Sequence, residues 1–259
     1  MSARPYRRTT DLSCYPAALV SNTSARWRAE LTRSKAVTLL DRPFVTVSFA
    51  VSEDLCLSAT RGAPTRVSCD EAMQVTHELR TAHDALLVGV GTVLSDDPVL
   101  TTRLAAGPSP LRVVLDSRLR TPTEARVLRS TSQPPLLITT NLATEARQQE
   151  LKQAGAEILR VAADPRGVAL PAALQGLRAR GVTSVMVEGG ADVLESFFAS
   201  GLIDFLAVAI SPQRLDNPHA VKLGAHARGA LSQWKRSPER VGVDAFFSGP
   251  LFAAVKAAS

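Results

Sequence analysis

From Pro43 onward the chain alternates short apolar runs with longer stretches of helical period. The segment 44–51 is rich in Val and Phe and reads as a buried strand. Further apolar runs predict strands over 86–88, 112–115, 136–139, 157–161, 184–187 and 203–210. Between them, helical patterns predict helices over 70–82, 170–180 and 191–199, and a further helix is expected over 145–153 after Thr140-Asn141. Ser68, with Glu71 three residues later, predicts a capping box at the first of these helices. Residues 54–66, with Gly62 and Pro64, read as irregular, and the last forty residues predict late antiparallel strands. Short buried strands alternating with helices predict an α/β fold whose sheet is parallel through its middle.

The first 22 residues have few periodic apolar positions, whereas 24–40 predict a basic amphipathic helix using Trp27, Leu31, Val37 and Leu40. Such a helix suits a membrane surface, but packing onto its own domain or a second subunit is the better reading. No internal repeat or linker-like segment interrupts the rest, so the expected organisation is a basic arm over 1–41 and one domain over 42–259.

Charge adds little beyond this. The 259-residue chain carries 30 Lys plus Arg against 24 Asp plus Glu, and residues 1–42 hold five of the six surplus bases. Nucleic-acid binding would concentrate base on a folded face with a recognisable motif, and none is present. The three cysteines form no C-x-x-C pair, which points to a reducing, cytoplasmic setting. The four histidines lack metal-ligand spacing, so no metal is expected, and His77 reads as a helix-surface or cap residue. No apolar run is long enough for a membrane span, and the N-terminus lacks the apolar core of a signal peptide.

Three constellations carry chemistry. In 89–103, Gly89 and Gly91 follow a strand and permit close backbone approach to a ligand, and Thr92 adds a hydroxyl beside a helix start. The paired Asp96 and Asp97 precede a proline-fixed bend, and turn and cap formation is the alternative reading for them. In 185–192, a strand runs into Glu188-Gly189-Gly190 and a helix start, an arrangement that presents free N–H groups to an anion. The G-x-G-x-x-G fingerprint of the doubly wound fold is missing. Third, Ser117-Arg118 at a strand end suits an adenosine 2′-phosphate, or is simply a solvated loop.

Taken together, four ordered motifs carry a resemblance: R-P-F-V at 42–45, A-L-L-V-G-V-G-T-V-L-S-D-D-P-V-L-T-T-R at 85–103, P-L-R-V-V-L-D-S-R-L-R-T-P at 110–122, and S-V-M-V-E-G-G-A at 184–191, followed by G-L-I-D. The run resembles the reductase domain of the bifunctional riboflavin-biosynthesis deaminase-reductase. That resemblance implies a dihydrofolate-reductase-like three-layer sandwich around a mixed, mostly parallel sheet, NADPH as cofactor, a small anionic substrate and a homodimer. It places the cofactor at Gly89, Gly91, Thr92, Asp96, Ser117, Arg118, Thr139, Glu188, Gly189, Gly190 and Ala191. The substrate falls to Ser48, Ser52, Asp54, Arg66, Ser68, Asp97 and Arg103, with Asp97 as the catalytic candidate and Arg103 gripping a phosphate. The zinc signature of the deaminase is missing, so reduction without deamination is expected.

The chain departs from the family pattern on one wall. Ser48 stands where a lysine is usual, Glu53 and Leu55 break the usual A-x-S-L-D-G, and Arg66 stands where a tryptophan is usual. The implied reaction converts a ribosylaminopyrimidine phosphate to its ribityl form. The departures leave open a same-fold reductase of another imine or heteroaromatic substrate, or a cofactor-binding protein without turnover.

Overall fold

The computed structural model describes residues 23–37, 41–129 and 133–251. Nine strands form its centre: β1 (Phe44–Val51), β3 (Ala85–Gly89), β4 (Leu111–Leu115), β5 (Leu136–Thr139), β6 (Glu157–Arg160), β9 (Ser184–Val187), β10 (Phe205–Ile210), β12 (Glu239–Val241) and β13 (Asp244–Pro250). They make one sheet with spatial order β12-β13-β10-β1-β9-β3-β4-β5-β6. All are parallel from β10 through β6. In this sheet β13 alone is reversed, pairing antiparallel with β10 on one side and with β12 on the other. The late antiparallel strands are therefore present, together with a helix, α7 (Ala225–Gln233), that the sequence pattern did not indicate.

Both faces of the sheet are covered, as buried parallel strands require. Alternate residues of one strand face opposite cores: Leu86 and Val88 pack with helix α2 (Asp70–Thr81) and Ala85 and Leu87 with α5 (Leu170–Arg178). Helix α4 (Glu145–Gln153) contributes Leu151 to the first core, and α6 (Ala191–Ser200) contributes Leu194 and Phe197 to the second. The result is a three-layer sandwich.

Helix α1 (Thr23–Val37) lies on the same face as α2. Trp27 and Leu31 are buried there with Phe44 and Phe246, and Arg236 pairs with Glu30 at 2.8 Å. This helix packs on its own chain; the side chain of Val37, Leu40 and the first 22 residues of the expected arm lie outside what is described. Among the described residues no helix is long and apolar enough to cross a membrane, and no group of three or more acidic, Cys or His residues could hold a metal.

The expected capping box is not formed. The N-cap of α2 is Cys69, one residue beyond Ser68, and its backbone N–H donates to Asp244 Oδ2 at 2.9 Å. A buried carboxylate brought by β13 accepts the N-cap N–H, the donor that a capping box gives to its glutamate. The stretch 54–66 is also more ordered than expected: β2 (Cys56–Ser58) pairs with β11 (Val221–Lys222).

Candidate active site

A cleft of about 1210 Å³ opens at the carboxyl ends of the parallel strands. Its position follows from topology: β1 is flanked by β9 and β10, both much later in the chain, and the path from β1 to β3 must skip a place. Loops part at such a switch point and leave a crevice for ligands.

Two glycine turns form the middle of the cleft. Gly89 ends β3 and is the N-cap of α3 (Val90–Asp96), while Gly190 is the N-cap of α6. The turns are joined directly, because Gly190 N–H donates to Thr92 Oγ1 at 3.2 Å. Neither Gly89 nor Gly189 has a positive φ. Their need for glycine is packing: a Cβ at Gly89 would stand 2.5 Å from Val193 Cγ2, and one at Gly189 2.5 Å from Val193 Cβ. The turns therefore close against the first turn of α6, whose N-terminus points its free N–H groups into the cleft. Gly91 is open, and a Cβ added there would meet nothing within 4 Å.

Glu188 is the first residue past β9, and its carboxylate is engaged by Arg80. Arg80 Nε donates to Oε1 at 2.7 Å and Nη2 to Oε2 at 2.6 Å. Arg80 Nη1 also donates to the Thr101 carbonyl at 2.9 Å. His77, one turn earlier on α2, is fully buried and not on the helix surface. Its Nδ1 accepts the backbone N–H of Arg103 at 3.1 Å and of Leu104 at 3.4 Å. Burial, helped by Arg80 and Arg103, holds the imidazole down at about 4, so it is neutral at ordinary pH. The buried face of α2 thus fixes the loop after α3, and nothing in the spacing of Arg80 and His77 singled them out.

The structure brings together many of the sequence candidates and separates others. Ser48, Arg66, Ser68, Gly89, Gly91, Thr92, Asp96, Ser117 and the turn from Glu188 to Ala191 all line the cleft. Ser52 and Asp54 do not: the Ser52 hydroxyl donates to Asp54 Oδ1 at 2.7 Å, and Asp54 accepts the backbone N–H groups of Leu215 and Asp216. The serine hydrogen bond first of all, and then those N–H groups, lower the Asp54 pKa, as befits a carboxylate holding a turn. Asp97 also stands outside the lining. It ends α3 in the left-handed region at φ 40°, and its Oδ1 accepts the Arg126 N–H at 2.7 Å. The catalytic expectation for Asp97 and the phosphate-gripping expectation for Arg103 therefore have no counterpart in this cleft wall.

At the far end, Arg118 points to solvent outside the cleft, and Arg120 lines it instead. The reversal has a physical cause. Asp116 Oδ2 accepts from both the N–H and the hydroxyl of Thr121 at 2.8 Å, curling the chain so that Leu119, at φ 54°, is buried between two exposed arginines, of which Arg120 borders the cleft. Thr139 is buried at the end of β5 and does not line the cleft. Arg61 and Arg166 line it and were not singled out by the sequence.

The residues present fit a dinucleotide. The cleft exceeds the usual ligand-pocket range of roughly 300–1,000 Å³. It has a helix N-terminus and paired glycine turns at its middle and an arginine at one end.

Comparison with known proteins agrees with this architecture. A family model described as the RibD C-terminal domain matches residues 43–223. A 2,5-diamino-6-ribosylamino-4(3H)-pyrimidinone 5′-phosphate reductase of Archaeoglobus fulgidus is 37% identical over 181 residues, covering 66% of this chain and 81% of the relative. The riboflavin biosynthesis protein RibD of Aquifex aeolicus is 32% identical over 207 residues, covering 79% of this chain but only 56% of its own length. Among solved structures, the riboflavin biosynthesis reductase Rib7 of Saccharomyces cerevisiae superposes with a TM-score of 0.67 at 21% identity, over 88% of this chain and 99% of that one. RibD of Acinetobacter baumannii gives 0.68 at 24%, over 86% and 62%. The chain belongs to the RibD C-terminal domain family and has its dihydrofolate-reductase-like fold.

Proposed function

We propose that this protein is an NADPH-dependent reductase that converts the ribosyl group of a ribosylaminopyrimidine phosphate to a ribityl group, as in riboflavin biosynthesis. The observation that carries the reading is the pair of linked glycine turns, Gly190 N–H to Thr92 Oγ1, at the carboxyl ends of β9 and β3. They offer N–H groups and a helix N-terminus to a pyrophosphate, with β1 on one side for the nicotinamide and β4 on the other for the adenosine. When bound, the cofactor supplies a hydride for the open-chain sugar carbon.

The chain's own residues bind and align. Arg80 holds Glu188 in place at the floor of the cleft, while Ser48 and Ser68 offer hydroxyls along its β1 side. Arg120 and Ser117 are the residues placed to receive an adenosine 2′-phosphate. Family membership and the names of the reductase relatives support the substrate class. A homodimer goes with this reading and is checked by sedimentation.

One observation favours a second reading, a same-fold reductase with a different imine or heteroaromatic substrate. Ser48, buried on the cleft floor, provides no cation where the family usually has lysine. Arg66 does not replace it, because its guanidinium is tied to Asp70 at the surface. Steady-state NADPH oxidation with the ribosylaminopyrimidine phosphate tests the choice. Turnover supports the first reading, and NADPH oxidation only with another imine or heteroaromatic acceptor supports the second.

A further inference from the structure

The strand order β1-β9-β3-β4 lays the cleft out as a line, from Ser48 past the two glycine turns to Ser117. With neighbouring strands about 4.8 Å apart, the Ser117 end lies one strand beyond the Gly89 turn and two beyond the Gly190 turn. A short hairpin of β7 (Ala163–Asp164) and β8 (Gly167–Val168) covers that end. It is seated on Ser117: Gly167 has φ 121°, and a Cβ there would stand 3.4 Å from Ser117 Oγ. Asp164 Oδ1 accepts the Arg166 N–H at 2.7 Å and fixes the hairpin tip. Arg166 lines the cleft, and among the described residues its guanidinium has no hydrogen-bond or ion-pair partner. Arg120, the other cation at this end, has only Asp116 at 3.9 Å.

We propose that Arg166 is a specificity-determining residue that closes over a phosphomonoester on the adenosine ribose of the dinucleotide. The inference rests on the NADPH reading above. Asp164 also borders the cleft and opposes an anion, but one of its oxygens is engaged by the hairpin, and Arg120 and Arg166 border the same end. A long, unpaired side chain on a fixed tip suits this task, because the planar fork finds the phosphate without moving the backbone.

The test measures dissociation constants of the full chain for NADPH, NADH and 2′,5′-ADP. Arg166→Ala and Arg166→Gln should each weaken NADPH and 2′,5′-ADP about tenfold, the low end for a charge-assisted contact. NADH affinity should stay within about twofold, and Arg118→Ala should change nothing. Preference for NADPH that survives both Arg166 variants overturns the inference and leaves the NADPH reading standing. Equal loss for NADPH and NADH also overturns it, since that marks a damaged hairpin. Wild-type protein that binds both cofactors equally overturns the reading and the inference together. Inorganic phosphate competing as well as 2′,5′-ADP would overturn the ribose-phosphate assignment in favour of a general anion trap.

Discussion

Arg80 and Glu188 meet in a two-pronged ion pair, at 2.7 and 2.6 Å, that ties the last turn of α2 to the end of β9 beneath the cleft. Both side chains are mostly buried. Arg80→Ala leaves the carboxylate without its partner, a change that typically costs about 3–5 kcal/mol for a buried pair. Urea unfolding should show a loss near the lower end of that range, and NADPH affinity should fall because the Gly189-Gly190 turn loses its anchor. Arg80→Lys should recover only part of both, having a point charge but no fork. An unchanged unfolding midpoint with unchanged NADPH affinity in Arg80→Ala would falsify the anchoring role.

The second prediction concerns Gly189. A methyl group there would collide with Val193, so Gly189→Ala should destabilise the protein by about 1–3 kcal/mol, the usual range for overpacking. Val193→Ala in the same chain removes the obstructing atoms and should return most of the stability lost to the alanine at 189. Denaturant titration of the single and double variants measures the coupling. If Val193→Ala gives no relief, the requirement for glycine lies elsewhere than in this contact.

Ser48 bears on the substrate. A charged contact is commonly a few kcal/mol, so its lack should lower catalytic efficiency on the ribosylaminopyrimidine phosphate by roughly two orders of magnitude. Ser48→Lys should raise kcat/KM on that substrate while leaving the NADPH dissociation constant unchanged. Wild-type turnover on the order of 1 s⁻¹, not improved by the lysine, would remove the case for a diverged substrate.

Acid should unfold the protein through its buried histidines. Burial lowers His77 to about 4 and His83 to about 3, from an ordinary value of 6.5. His83 is neutral inside, with Nδ1–H donating to the Leu79 carbonyl and Nε2 accepting from Thr46, both at 2.7 Å. Because the folded pKa values lie below the unfolded one, the unfolded chain binds more protons as pH falls. The neutral-histidine advantage is complete above about 6.5 and is lost progressively towards 3 to 4. Unfolding free energy measured from pH 7 to pH 4 should decline across that window. His83→Gln should lower stability at pH 7 and flatten the decline, and an equally steep slope in the variant would point to other groups.

Much of the scaffold is legible in the residue pattern. Strands 136–139 and 184–187 and most of the helix expected over 170–180 fall where their apolar periods place them, since a strand buried on both faces and a helix buried on one leave distinct periodicities. Helix α7 is harder to read: it buries only Ala227 and is held by Glu195, which accepts the N–H groups of His226 and Ala227 from α6. Its start is a tertiary contact with no local signature. The same is true of α2, where Asp244, 175 positions away from Cys69, accepts the N-cap N–H that the expected capping box would have given to Glu71.

The candidate site divides in the same way. Residue order alone was enough to mark the glycine turns, because glycines directly after a strand stand out at Gly89, Gly189 and Gly190, although the contact with Val193 that excludes a side chain at the first two appears only in the folded chain. It was also enough for the family, through motifs spread along the chain. Which side chains enter the cleft depended on the folded arrangement. Arg118 and Arg120 are two positions apart, chemically alike and both exposed, yet in the turn that the hydrogen bonds from Thr121 to Asp116 close only Arg120 borders the cleft. Asp97 and Arg103 sit within a motif but are drawn to Arg126 and His77 by contacts the chain makes only when folded. Charge and hydrogen-bonding capacity belong to a residue type, whereas the direction of a side chain follows from the dihedrals and partners around it, and those are set at long range.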